Sequence, residues 1–200
     1  IITSRRRKYS LNIKFKILIF KLIYIYHMED LLICTYENTQ KFSLENRILP
    51  AKCLDIYDGD TATFGVIINH ELYKFNMRLS GIDTPEIRPR KNNPNRDSEK
   101  KAAKYVRNRV LQLITDQEID LNKNYTRKQI KNILGNSRKI VYLKCGKFGK
   151  FGRCLIKVFL NEEDLDDKTK SINKILLREN LAYQYYGGKK NNDFTSYFKK

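Results

Sequence analysis

Between Ile48 and Leu79 short apolar runs recur with polar punctuation: ILPAKCLDIY, TATFGVII and ELYKFNMRL. In the second run Ala62, Phe64, Val66 and Ile68 alternate with smaller or polar residues, the period of two expected of a strand with one buried face. The pattern predicts three strands. Asn69-His70, between the second and third, fits a tight hairpin turn because Asn tolerates the positive φ such turns demand, so an antiparallel meander follows.

Beyond a Pro- and Asn-rich loop at 85–97 the period lengthens. DSEKKAAKYVRNRVLQLI places Ala102, Ala103, Val106, Val110, Leu113 and Ile114 three to four residues apart, which predicts a helix with Asp97 or Ser98 as N-cap. YTRKQIKNILG sets Thr126 and Gln129 at capping-box spacing, Ile130, Ile133 and Leu134 on one face, and Gly135 where a C-terminal cap is expected. Two more strands, KIVYLKC (139–145) and CLIKVFL (154–160), flank a glycine-rich connection. A last helix over 169–179 carries Ile172, Ile175 and Leu176. Five short strands with helices in their connections point to an α+β, mainly β fold: a small, partly open OB-type barrel with about three helices.

Composition narrows the partners. A 200-residue chain with 41% hydrophobic content supports one domain with extra segments. Forty Lys and Arg against 22 Asp and Glu give +18, which favours a polyanionic partner, either nucleic acid or an anionic membrane face. Residues 1–27 hold seven of the basic residues and no acid, and taking those seven away still leaves +11.

That leader has a charged start and an apolar stretch. Lys21 interrupts the stretch, no small-residue cleavage site follows, and it is too short and too charged for a membrane span. The first Met is Met28, and Ile, Lys, Asn and Tyr are abundant, as an AT-rich coding sequence would give. Residues 1–27 are therefore read as translated upstream sequence or a fragment edge, 28–46 as an N-terminal extension, 47–188 as the domain and 189–200 as a tail. A soluble intracellular protein is the expectation, with a secretory or membrane leader as the alternative. Cys34, Cys53, Cys145 and Cys154 form no C-x-x-C pair, and only His27 and His70 could complete a zinc site, so reduced, mostly buried thiols are expected.

The candidate chemistry lies at strand ends. Asp58-Gly59-Asp60-Thr61 opens the second strand and Asp83-Thr84-Pro85-Glu86 closes the third, and antiparallel neighbours bring those ends together. Hard cations such as Ca²⁺ or Mg²⁺ select carboxylate and carbonyl oxygens, which these segments supply. Taken alone, Asp-Gly-Asp is first the composition of a turn, Arg78 reads equally as a solvated strand arginine, and Lys150-Phe151-Gly152-Arg153 is a basic loop.

In combination, DGDT, an arginine five residues before DTPE, and lysine-aromatic-Gly-Arg resemble the active-site pattern of the staphylococcal nuclease (thermonuclease) family. The resemblance runs from about residue 51 to 186 and includes LLRENLAY, which is similar to the end of the family's third helix; Phe151 stands where the family has a tyrosine. It implies a calcium-dependent nuclease, with Mg²⁺ or Mn²⁺ as substitutes, that hydrolyses DNA and/or RNA to 3′-phosphorylated products, favours single-stranded or frayed substrate, and acts as a monomer without a stable protein partner. By the same resemblance Asp60, Asp83 and the Thr84 carbonyl would hold the metal, Glu86 would orient or deprotonate water, and Arg78 and Arg153 would bind the phosphate. Lys150, Phe151, Tyr185 and Tyr186 would contact nucleic acid, although these rings serve equally to cover a barrel. The basic insertion at 116–138 either extends the nucleic-acid footprint or is a solvated helix face. The rival class is a non-catalytic nucleic-acid- or protein-binding module of the same fold, which retention of the six acidic, threonine and arginine positions disfavours. A basic module on an anionic scaffold explains none of the acids.

Overall fold

The computed structural model describes residues 15–19, 21, 25 and 28–188, so the expectations for the tail and most of the leader lie outside the described residues. The chain divides into two units, 1–42 and 43–200. In the first, residues 28–33 are helical, and Asn38 Nδ2 donates to the Ile33 carbonyl at 3.0 Å, satisfying one orphan acceptor at the helix end. Among the described residues no helix is long and apolar enough to cross a membrane.

The second unit is built on the predicted meander: β1 (Ile48–Ile56), β2 (Thr61–Ile68) and β3 (Glu71–Leu79). The alternation seen in the sequence is the alternation of burial, with Ala62, Phe64, Val66 and Ile68 all facing inward. Asn69 and His70 both have positive φ, 51° and 68°, as the two-residue hairpin turn demands. A two-residue strand, β4 (Ile82–Asp83), follows. β5 (Val141–Phe148) and β6 (Cys154–Phe159) complete a closed barrel in the order β1-β2-β3-β6-β5. The expected partly open barrel is thus closed: β3 and β6 pair in parallel, Met77 opposite Cys154 and Leu79 opposite Ile156, which leaves no free edge. β5 begins two residues later than the apolar run suggested.

Helix α1 (Arg96–Thr115) buries Ala102, Ala103, Val106, Val110 and Ile114 of the face that the spacing marked, with Leu111 buried beside them and Leu113 only half-buried. Its N-cap is Asn95 rather than Asp97 or Ser98, which lie inside the first turn. Helix α2 (Arg127–Asn136) forms the expected capping box between Thr126 and Gln129 and lays fully buried Ile130 and Leu134 against β1. Gly135 does not end it. The helix runs through Asn136 to an extended Ser137, and a Cβ at Gly135 would meet nothing. Helix α3 (Ile172–Arg178) starts later than expected because Ser171 caps it, accepting from the Lys174 N–H; residues 168–170 form a separate 3₁₀ turn. A final short strand, β7 (Tyr183–Gln184), pairs with β4. All four cysteines are free thiols, three buried and Cys34 exposed.

Candidate active site

Thr61, the first residue of β2, lies opposite Arg78 near the end of β3, so the DGDT turn and the Arg78 side chain share one end of the barrel. Arg78 uses its planar fork on two acids at once: Nη1 donates to Asp60 Oδ1 at 2.6 Å and Nη2 to Asp83 Oδ1 at 2.7 Å. These are shielded pairs, the arginine side chain being 13% exposed and each aspartate 3%. Asp60 also accepts from the Thr61 hydroxyl at 2.9 Å and, through Oδ2, from the Thr84 N–H at 3.2 Å, which ties the two acidic segments together.

Asp83 does not close the third strand as expected. β3 stops at Leu79, the chain turns through Ser80 and Gly81, with φ of 75° at the glycine, and Asp83 sits on β4 opposite Tyr183 of β7. The Tyr185 N–H donates to the Gly81 carbonyl at 3.1 Å, so the C-terminal segment fixes the turn that presents Asp83. Gly59 is a close-approach position: a Cβ there would lie 2.5 Å from Val106 Cγ1 and 2.9 Å from Thr84 Cγ2.

Asp58, 4% exposed, has an Oδ1 without a hydrogen-bond partner. Burial first, then the Asp60 and Glu86 carboxylates, push its carboxyl well above the ordinary range, with Arg78 as the opposing influence. Burial pulls the Arg78 guanidinium down, but Asp60 and Asp83 more than offset it and hold it above its usual value. Negative charge is therefore concentrated around one arginine.

Above these groups opens a cleft of about 910 Å³ whose lining includes Asp58, Arg78, Glu86, Lys150, Phe151, Arg153, Tyr185 and Tyr186. Asp60, Asp83 and Thr84 lie beneath it, each no more than 2% exposed. Arg153 reaches in from the turn between β5 and β6, where Gly152 takes a φ of 70° that L side chains rarely adopt, and its Nη1 donates to Thr61 Oγ1 at 3.2 Å. Arg153 also stands 5.9 Å from the Phe151 ring centroid, and Arg78 stands 6.0 Å from that of Tyr185. Phe151 and Tyr186, 77% and 84% exposed, flank the cleft rather than cover the barrel.

Hard oxygen donors are what this site offers a metal. Among the described residues no three His, Cys, Asp or Glu side chains form a ready cluster; Arg78 holds one oxygen of Asp60 and one of Asp83 and balances their charge as a cation would. The unpartnered Asp58 Oδ1 and Thr84 Oγ1 beside them are the buried oxygens expected where a hard cation fits, and no softer ligand is present.

Several groups that shape the site escaped the sequence reading. Asp58 sits in the DGDT turn yet drew no role; its neighbour Asp60 was the only hint. Glu99, 6% exposed in the first turn of α1, accepts from the Glu86 N–H at 3.1 Å and from Asn93 Nδ2, holding the loop that carries Glu86. Asn173, 3% exposed, donates to the Ser80 and Ile156 carbonyls at 2.9 and 3.1 Å and accepts from the Val158 N–H at 3.2 Å, pinning α3 across the β3–β6 seam. An asparagine inside a helix, where it is a poor helix former, was the available signal.

A family profile described as staphylococcal nuclease homologue matches residues 76–200. Comparison with curated proteins gives no match. Arg78, Asp83, Thr84, Glu86 and Arg153 fall inside the matched stretch; Asp58 and Asp60 precede it, and it is the fold that brings them to the same cleft.

Proposed function

The chain belongs to the staphylococcal nuclease homologue family, and from that premise we propose that it is a calcium-dependent nuclease hydrolysing phosphodiester bonds of DNA or RNA, single-stranded or frayed in preference, to 3′-phosphorylated products. The observation that carries this reading is the convergence of Arg78, Glu86 and Arg153 on one cleft above Asp60 and Asp83.

Asp60, Asp83 and the Thr84 carbonyl would hold Ca²⁺, with the buried Asp58 carboxyl beside them. Bound there, the ion supplies Lewis-acid polarisation of the scissile phosphate. Glu86, its backbone anchored by Glu99, orients the attacking water and accepts its proton as the oxygen bonds to phosphorus in line with the leaving 5′ oxygen. Arg153 and Arg78 donate to the non-bridging oxygens as charge builds there, and a planar fork suits phosphate. The exposed rings of Phe151 and Tyr186, with Tyr185 behind them, offer faces on which unpaired bases stack, and Lys150 adds backbone attraction, which is why single strands are the favoured substrate.

Arg153→Gln and Glu86→Gln test the assignment. Each is expected to slow hydrolysis at saturating metal by about 10²- to 10³-fold while leaving the melting temperature close to wild type. Turnover unchanged in either variant would overturn the role given to that residue.

A further inference from the structure

The cleft extends past the acids to a second charged region that the chemistry above does not use. Its far lining includes Lys157, Lys168 and Lys174, with Leu155 and Leu177 between them and the arginines. On β6 the inward residues Cys154, Ile156 and Val158 alternate with Leu155 and Lys157, so Arg153, Leu155 and Lys157 follow one another along the same outer face. Four residues of strand separate Arg153 from Lys157 by about 13 Å, beyond the reach of the phosphate that Arg153 would hold.

The cluster is maintained against its own repulsion. Lys157 stands directly opposite Lys144 on β5, a like-charge cross-strand pair that costs stability. Burial, and then Lys168, Lys144 and Lys174, hold its ammonium below the ordinary lysine value. None of Lys157, Lys168 or Lys174 forms an ion pair among the described residues. In the segment before Lys168, Asp164 is taken by Lys170 and Asn161, and Asp167 by Thr169. Three lysines on the wall of one cleft, without an ion pair among the described residues, concentrate positive charge there.

We propose that Lys157, Lys168 and Lys174 form a subsite for a second backbone phosphate of a single-stranded polynucleotide, so that the cleft grips a strand at two points and favours oligomers over substrates with one phosphodiester. The proposal rests on the nuclease reading for what happens at the other end of the cleft, but its binding test does not. In the full chain, the triple variant K157Q/K168Q/K174Q and the wild type are titrated with a labelled thymidylate dodecamer in chelator, by fluorescence anisotropy over a range of salt. The slope of log K against log salt is expected to fall by about 0.7 in the variant, the value for one lost phosphate contact on a single strand. In a second arm with Ca²⁺, KM for the dodecamer is expected to rise roughly tenfold or more, while hydrolysis of a nucleotide ester with a single phosphodiester stays at the wild-type rate.

An unchanged slope overturns the subsite, as does equal loss on the single-phosphodiester substrate, and so does a variant that loses binding to anionic lipid vesicles while keeping its oligonucleotide slope. If wild type hydrolyses neither substrate, the nuclease reading fails by itself, and the anisotropy arm still decides the subsite.

Discussion

Arg78 makes a prediction that separates electrostatics from turnover. In the structure it bridges two aspartates that are 3% exposed, itself 13% exposed, and the buried Asp58 carboxyl lies close by. Replacing it by Gln removes the positive charge that compensates this cluster. Breaking a shielded pair of this kind by deleting one partner costs about 3–5 kcal/mol. The lower end applies here, because Asp60 keeps the Thr61 hydroxyl and the Thr84 N–H. At roughly 2–4 °C per kcal/mol for a domain of this size, Arg78→Gln should melt about 6–12 °C below wild type in chelator. Calcium should then act differently on the two proteins. At a hundredfold excess over its dissociation constant a ligand adds about 2.7 kcal/mol; the variant should recover most of its loss, whereas in wild type the ion must first displace the guanidinium and the calcium-induced rise should be smaller. Melting is followed by far-ultraviolet circular dichroism, since the chain contains no Trp. A variant that melts with wild type in chelator, or a calcium shift no larger than that of wild type, would refute the idea that Arg78 neutralises the acidic site.

Four further outcomes follow from the packing. Gly59→Ala would push a methyl into Val106 and Thr84, contacts of 2.5 and 2.9 Å that β-branched side chains cannot easily yield; a loss of about 1–3 kcal/mol is expected in denaturant unfolding. Asn173→Ala strands the Ser80 carbonyl and the Val158 N–H at the β3–β6 seam, while the Ile156 carbonyl keeps the Ser80 N–H and hydroxyl, and should cost about 2 kcal/mol by the same measurement, with faster amide exchange at Val158. Burial raises the Cys53 thiol to about 12, against an ordinary value of 9.0. Stability from this group is therefore complete below about pH 9 and falls as pH rises towards 12, because the unfolded thiol ionises first. Native alkylation near neutral pH, read by mass spectrometry, should label Cys34 and spare Cys53, Cys145 and Cys154.

What the sequence made legible was local. The inward Ala62, Phe64, Val66 and Ile68, the Asn69-His70 turn and the Thr126–Gln129 capping box each depend on partners a few residues away, so pattern and structure agree. Closure of the barrel depends on Met77 meeting Cys154, a pairing no local period encodes. The same holds for Asp83, which a strand a hundred residues later holds in place. Asn95 was missed as a cap because its side chain makes no capping bond. Glu99 was invisible for another reason: an acid in the first turn of a helix reads as a partner of the helix dipole, and only the loop folded over it shows that it holds Glu86. In the site, residue types and spacing indicated which groups converge. They gave no sign that Arg78 would lie on Asp60 and Asp83, the carboxylates proposed to hold the metal.

The central claim is metal-dependent cleavage of a phosphodiester at this cleft, and the most direct test is the mass of the products formed from a single-stranded DNA oligomer with Ca²⁺ and with chelator. The account predicts fragments ending in 3′-phosphate and 5′-hydroxyl in calcium, and intact oligomer in chelator. Intact oligomer in both conditions, or the same fragments in chelator, would contradict it.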